Sequence, residues 1–515
     1  MVDILSKISL VSFLILMFLH VHVLVRTKNH GYEYLHQKRV MTIFMMIGWS
    51  LSSSILNLIY GLQRLNINLI AGFFELSISI SIVNVLLVTL VSFLALVIYN
   101  YSETYLDSGH VKKLYYKRLS LCFLSSMLCV STTNLIILLV SWVLCSFNLQ
   151  KLLTLYSDKN NLKNALRQAK VFFRASELFL LIGILLLGEF YHTLDIQEIT
   201  NIIAMKKGVL PLNVKLTGFF VVMSVILKTA MFPFNGWVIK VMDAPTPVSA
   251  LLHAAIINMG GYILITFAPI LDVTANTFLF VISLATTVLA SLAMKYQTRI
   301  KCKLAWSTCA QMGFMLFECA LGIYQLAFIH LICHSIYKAH AFLYSGNIVE
   351  DTTLYLNKIS KPNFMAGFLI AFISTTTIDF LIFGTSIYTQ LSYIPHWILT
   401  FSVATLFGYI LTENKKVDSI KYITLSCVLL TLFLTVDKAL VNHFQLNIST
   451  EFSLKTLLVF ALLIYTYLIT SGRVFSKYLN QEKFQQAFSK GLYVDEFISY
   501  LLFKKTDIKA VNIIQ

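Results

Sequence analysis

Apolar residues run along this chain in blocks of roughly 17–25, separated by short polar stretches. Blocks of that length suit helices crossing a hydrocarbon core ~30 Å thick. The pattern predicts spans at 8–25, 40–62, 82–100, 116–131, 133–154, 171–190, 213–234, 247–270, 272–294, 301–322, 324–349, 362–386, 395–412, 417–436 and 453–470, about fifteen in all. The stretch 65–81 is apolar but interrupted by asparagines, and reads either as interfacial or as an additional span. The first block has the length of a signal peptide. No small-residue cleavage site follows it, and the basic segment Arg26 to Arg39 leads straight into another apolar block, so it reads as the first spanning helix. A β-barrel would show alternating segments of ~10 residues instead. The fold class expected is all-α: a polytopic helical membrane protein with broken helices.

Composition sharpens this. Of 515 residues 57% are hydrophobic and 12% charged, against ~25% charged in ordinary soluble domains. So few charges cannot coat a soluble surface of this length, which excludes a soluble enzyme, a disordered chain and a disulfide-rich secreted module. Seven prolines in the whole chain fit a mostly helical backbone. The net charge of +16 would suggest nucleic acid in a soluble protein. In a membrane protein it reflects the lysines and arginines that collect in cytoplasmic loops. With the N-terminus outside and the spans alternating, the inside loops hold 24 Lys and Arg, the tail after 470 holds 7, and the outside loops hold 6. That bias places the N-terminus outside and the C-terminus in the cytoplasm, with an odd number of spans. Two domains are expected: a membrane domain over 1–470, and a cytoplasmic or interfacial amphipathic tail over 471–515. The tail carries an apolar face near Tyr493, Phe497, Leu501 and Leu502, fit to lie on the membrane or to dock a partner.

The eight cysteines form neither C-x-x-C nor C-x-x-x-C and fall in or beside apolar blocks. They read as small hydrophobes rather than as a metal cluster or disulfide framework. No nucleotide-binding or hydrolase motif is found. The candidate chemistry lies in ionisable groups inside spans, each costing ~2.5–3.5 kcal/mol or more at mid-membrane. Lys228 stands in Val225-Ile226-Leu227-Lys228-Thr229-Ala230-Met231-Phe232-Pro233. Pro233 lacks an N–H and breaks the helix there, making Lys228 a candidate protonation site. His253 follows two prolines by about two turns and serves either as hydrogen-bonded packing or as a proton carrier. His330, His334 and Lys338 are spaced i, i+4, i+8 on one helical stripe, the layout of a proton relay. Chelation of a metal by the two histidines is the rival, without a carboxylate to complete it. Arg174 with Glu177 at i, i+3, Gln311, Glu318 and Asp379 are further polar groups within spans.

These residues carry a resemblance. The segments LKTAMFPFNGWVIKVMDAPTPVSALLHAA (227–255), KLAWSTCAQMGFML (303–316) and HLICHSIYKAHAFLYSG (330–346) resemble the proton-antiporter-like membrane subunits of respiratory complex I and the Mrp antiporters. Within that family they look most like the DabB-type membrane subunits of inorganic-carbon transporters. Complex I members have a Trp-Glu pair in the fifth span; here the matching position is Trp142-Val143. The tail also stops short of their long lateral helix. Arg174-Ala175-Ser176-Glu177 stands where many members have Arg-x-x-Asp.

The resemblance implies an antiporter-like fold and a chain that is not itself an enzyme and binds no cofactor. It would pass H⁺ or Na⁺ along Lys228, His253, His330, His334, Lys338, Glu177 and Arg174, with Asp379 a candidate exit group. The expected partner is a soluble DabA-like subunit that carries the zinc, so no metal is expected on this chain. The implied place is the inner membrane of a bacterium. The alternative is a proton-pumping subunit of a respiratory NADH:quinone oxidoreductase, or a cation/proton antiporter.

Overall fold

A computed structural model describes residues 2–25, 32–60, 64–70, 74–79, 81–106, 110–155, 160–206, 210–346, 364–383, 394–411, 416–444 and 482–503. In order the elements are α1 (Val2–Val25), α2 (Tyr32–Tyr60), β1 (Arg64–Ile70), β2 (Phe74–Ser79), α3 (Ile82–Tyr105), α4 (His110–Ser131), α5 (Leu135–Thr154), α6 (Asn160–Tyr191), α7 (Ile196–Lys206), α8 (Leu212–Lys228) and α9 (Gly236–Lys240). There follow α10 (Thr246–Leu251), a π turn (Leu252–Ile256), α11 (Met259–Thr266), α12 (Val273–Lys295), α13 (Ile300–Ala320), α14 (Tyr324–Ser345), α15 (Phe364–Phe383), α16 (Ile394–Ile410), α17 (Lys416–Phe444), α18 (Glu482–Ser489) and α19 (Val494–Phe503).

Each expected span up to 417–436 overlaps described helix, although α8 ends at Lys228, inside the expected 213–234. The last, 453–470, lies outside the described residues, as does the start of the tail. Eight described helices are long and apolar enough to cross a membrane. The chain is a multi-pass helical membrane protein. Large exposed apolar side chains such as Phe18, Phe44, Leu185 and Leu381 stand on helix faces that lipid can cover.

Two elements depart from the expectation. The described residues 64–70 and 74–79 do not form an additional span. They make an antiparallel hairpin in which Arg64 pairs with Ser79, Leu65 with Ile78 and Asn66 with Ser77. The reason is in the sequence: Leu65-Asn66-Ile67-Asn68-Leu69 alternates with period two, which suits a strand. The second is α7, in the polar stretch between the expected spans 171–190 and 213–234. Asp195 caps it, its Oδ1 accepting from the backbone N–H groups of Gln197 (2.9 Å) and Glu198 (3.1 Å).

The chain divides into two compact units. Unit one comprises Met1–Phe317, His330–Asn347 and Phe488–Gln515; unit two comprises Glu318–Ile329 and Ile348–Ala487. In unit one, α6 and α8 approach closely at a small residue. The Thr217 hydroxyl donates to the Gly183 carbonyl at 3.2 Å, and the Thr217 methyl would lie 3.4 Å from a Cβ built there. Asn134 caps α5, accepting from Ile136 N–H (2.9 Å) and Ile137 N–H (3.2 Å). The described tail residues from Phe488 onward belong to this unit and pack within it. Asp495 pairs with Lys240 and accepts from the Gln168 amide at 2.7 Å, and the Gln297 amide donates to the Ser489 carbonyl at 2.8 Å. Gly236 lies so close to Asp495 that any side chain there would overlap it. Phe497 and Leu501 stay exposed.

Unit two packs α15 against α16 around Ala371, Ala404 and Phe407. A Cβ at Gly367 would lie 2.7 Å from the Ala404 carbonyl oxygen, so only glycine allows this approach.

Candidate functional site

The ionisable side chains inside spans gather into three clusters. The first centres on Lys228. Helix α8 ends at this residue: Thr229 N–H closes on the Val225 carbonyl at 2.8 Å, Ala230 takes φ 54°, and α9 begins at Gly236. The break expected from Pro233 is therefore present. Lys228 is 1% exposed. Its Nζ donates to the Trp142 carbonyl at 2.9 Å and stands 3.4 Å from the centroid of the Trp142 ring. Helix α6 supplies the counter-charge. Glu177 is buried and lies within electrostatic reach of Lys228. It pairs with Arg174 at 2.5 Å, and its other oxygen, Oε1, accepts no hydrogen bond. Serine hydroxyls tie the helices together. Ser176 donates to the Ser224 carbonyl at 2.8 Å and accepts from the Trp142 indole at 3.4 Å. Val143, next in sequence to Trp142, is half-buried.

The second cluster joins three stretches of chain. His334 and Lys338 lie on the buried face of α14, and His330 is half-buried on the same stripe, as the spacing predicts. The His330 and His334 rings are 6.1 Å apart, edge to face. Lys338 is fully buried, and its Nζ donates to the Leu304 carbonyl of α13 at 3.2 Å. His253 comes from the π turn between α10 and α11. Single π turns inside helices often mark functional sites, because the extra residue pushes a side chain out of register. Its ring stacks on Phe342 at 4.4 Å. The charge of Lys338 reaches both His253 and His334. None of the four ring nitrogens of these two buried histidines has a hydrogen-bond partner. The Asn258 amide pins the π turn to α14, donating to the Ala254 carbonyl (2.9 Å) and the Ser335 hydroxyl (2.6 Å).

The third cluster lies in unit two. Asp379 on α15 is buried and pairs with His396 at the start of α16; Thr400 and Thr375 hydroxyls meet beside them at 2.9 Å. Glu318 is buried and Gln311 exposed. Among the described residues no group of three or more His, Cys, Asp or Glu is placed to hold a metal.

The sequence alone did not point to the Trp142 carbonyl as the acceptor for Lys228, to Asn258 with Ser335, or to His396. The Pro395-His396 step opening an apolar block resembles Pro245 to His253, and was the available signal for the last.

Comparison with known proteins places this geometry. Residues 132–408 match the family described as the transmembrane part of NADH:quinone oxidoreductase/Mrp antiporter proteins. The chain is 32% identical over 446 residues to "Probable inorganic carbon transporter subunit DabB" of Hydrogenovibrio crunogenus, covering 84% of this chain and 85% of that relative. It is 32% identical over 310 residues to "NAD(P)H-quinone oxidoreductase subunit 5, chloroplastic" of Nasturtium officinale, covering 58% of this chain and 41% of that protein. Among solved structures, a chain of the Mrp complex of a Dietzia species superposes with a TM-score of 0.57 at 20% identity, over 99% of this chain and 58% of that one. A chain of the membrane-bound sulfane sulfur reductase, an archaeal respiratory complex, gives 0.56 at 17% identity, over 96% and 99%. At those identities the superpositions speak for the fold alone.

Proposed function

The chain belongs to the NADH:quinone oxidoreductase/Mrp antiporter family of membrane proteins, and on that premise we propose that it is the ion-translocating membrane subunit of an inorganic-carbon transporter. The observation that carries this is the pair of buried lysines, Lys228 and Lys338. Each sits where several polar groups meet inside spanning helices, a costly placement that ion movement accounts for.

Glu177 lies between two cations. With the carboxylate turned to Arg174, Lys228 is held by the Trp142 carbonyl and ring. Movement of Glu177 between the two sets how much counter-charge Lys228 has, and so when it holds a proton. His253 and His334 have open ring nitrogens near Lys338. A neutral imidazole accepts on one nitrogen and donates from the other, which suits a hop. The ion is H⁺ in this reading, with Na⁺ the other candidate; Asp379 with His396 is the candidate exit.

The chain energises a soluble DabA-like partner that carries zinc, breaks no substrate bond itself, and lies in the inner membrane of a bacterium with its C-terminus in the cytoplasm. Expressing it with and without that partner in a carbonic-anhydrase-deficient bacterium tests the reading. Growth in air is expected from the pair only; no rescue by the pair overturns it. The likeness to the chloroplast quinone oxidoreductase subunit supports a second reading, a proton-pumping respiratory subunit. Co-purification with quinone-reductase subunits would favour that one.

A further inference from the structure

We propose that the turn at 490–493 and α19 form a releasable strap that locks α9 to α6, with the Asp495 carboxylate as its catch. One end of the strap is fixed. The Gln297 amide donates to the Ser489 carbonyl at 2.8 Å, and Gly491 sits so close to α13 that a Cβ there would lie 2.9 Å from the Trp306 ring. The other end holds through polar groups. Asp495 pairs with Lys240 of α9, and its Oδ1 accepts from the amide of Gln168 on α6 at 2.7 Å. Lys240 Nζ also donates to the Ser499 hydroxyl, one turn further along α19, at 3.4 Å. The carboxylate lies directly over Gly236, the first residue of α9, where a Cβ would overlap it. Helix α9 is five residues long and follows the break after Lys228. A helix that short has little stability of its own, so its position is set by its neighbours.

Two features make the strap releasable. No residue of α19 or of the turn before it is buried, so little apolar area holds it in place. Its catch is an ion pair whose side chains are 37% and 15% exposed, which salt screens. The turn also works against the catch. Gly491, Leu492 and Tyr493 take φ of 62°, 59° and 57° in succession. Glycine adopts that left-handed backbone freely, whereas Leu492 and Tyr493 are strained in it. A closed strap therefore holds strain that opening relieves. Closed, it fixes both ends of α9, at Gly236 and at Lys240. Open, it leaves α9 on α6 through contacts such as Trp237 with Phe173, edge to face at 4.9 Å. The strap uses none of Lys228, Glu177, His253, His334 or Lys338, and goes beyond the ion-coupling reading: it gives the element after the break two states that the tail sets.

The test is amide hydrogen exchange on the full chain in nanodiscs of zwitterionic lipid. Asp495→Asn keeps the shape of the side chain and an oxygen for Gln168 but loses the charge. It is expected to speed exchange in 494–503 by about tenfold and in 236–243 by about threefold, with α12 unchanged. Raising sodium chloride from about 0.05 M to about 0.5 M should speed the parent toward the variant and leave the variant where it is. Leu492 is 36% exposed, so replacing it loses little contact. Asn tolerates the left-handed backbone, and Leu492→Asn should slow exchange in 494–503 by about twofold. Should Asp495→Asn not be recovered, Lys240→Gln is expected to repeat its effect on 494–503 and to remove the salt dependence. Exchange that salt and the charge variants leave unchanged overturns the proposal. So does release of 494–503 with 236–243 unmoved, or exchange in Leu492→Asn as fast as in the parent or faster. The readout is backbone exchange rather than uptake, so its failure leaves the transport reading standing, and failure of transport leaves the strap standing in turn.

Discussion

Lys228 and Lys338 are both buried lysines in the same unit, yet their surroundings differ. Lys228 closes the last turn of α8, where the unpaired carbonyl ends of the helix favour a cation. It has a carboxylate within reach and an arginine competing for it. Lys338 lies in the middle of α14, with no helix end to help. The groups in its electrostatic reach, among the described residues, are two histidines and a cysteine. On the proposed reading the difference separates two tasks. A lysine with an adjustable counter-charge would be switched, whereas a lysine among imidazoles would only pass on what arrives. The first arrangement would serve as a gate and the second as a relay.

The largest effect is expected where the comparison is most direct. Lys228→Ala removes the charge that Glu177 and Arg174 act on, and carbon uptake by the assembled transporter should fall by roughly a hundredfold or more, with insertion in the membrane preserved. Uptake at the parental rate in an assembled variant would show that no gate resides there.

The relay is broken differently. His334→Gln keeps hydrogen bonding but loses titration near neutral pH, and uptake should drop by roughly tenfold or more. Lys338→Arg keeps the charge but hardly deprotonates. It should fail nearly as badly as Lys338→Ala. Normal uptake in Lys338→Arg would make Lys338 a fixed counter-charge, and the contrast with Lys228 would vanish.

A smaller effect should touch one site alone. Asp495 ties α9, the element that follows the break after Lys228, to α6: it pairs with Lys240 on α9 and accepts from Gln168 on α6. Asp495→Ala should reduce uptake by about two- to fivefold, the scale of losing one partly exposed charge contact. Adding Lys228→Ala should hide that reduction, while adding His334→Gln should leave it visible. Equal masking by both would mean that the tail acts on the whole unit.

What the sequence revealed depended on whether the signal was local. Helices such as α12 and α13 follow from block length, since backbone in lipid must close its own hydrogen bonds. The break after Lys228 follows from Pro233. The stripe of His330, His334 and Lys338 follows from helical period. The hairpin at 64–79 is not a further span, because its period-two alternation outweighs its apolar content. Helix α7 escaped notice although Asp195 and Glu198 carry a capping signal. Contacts between helices were out of reach. Nothing local says that His253 meets Phe342, that Asp379 meets His396, or that the carbonyl of Trp142, rather than an acidic side chain, receives Lys228.

That last contact gives the smallest predicted effect. Lys228 meets Trp142 in two ways, a hydrogen bond to the backbone carbonyl and a position over the ring. Substitution cannot remove the carbonyl, but it can weaken the ring. Trp142→Phe keeps an aromatic face of lower electron density and loses the indole N–H, whose bond to Ser176 is long at 3.4 Å. Cation–π contacts contribute ~0.5–2 kcal/mol, with Trp the strongest donor face, so the change should cost about two- to fivefold at most. Ser176 keeps its stronger bond to the Ser224 carbonyl, so the packing of α6 on α8 should hold. A loss as deep as that of Lys228→Ala would place the counter-charge of Lys228 in the tryptophan ring rather than in Glu177. The gate would then resemble the neutral surroundings of Lys338, and the distinction between the two lysines would have to be abandoned.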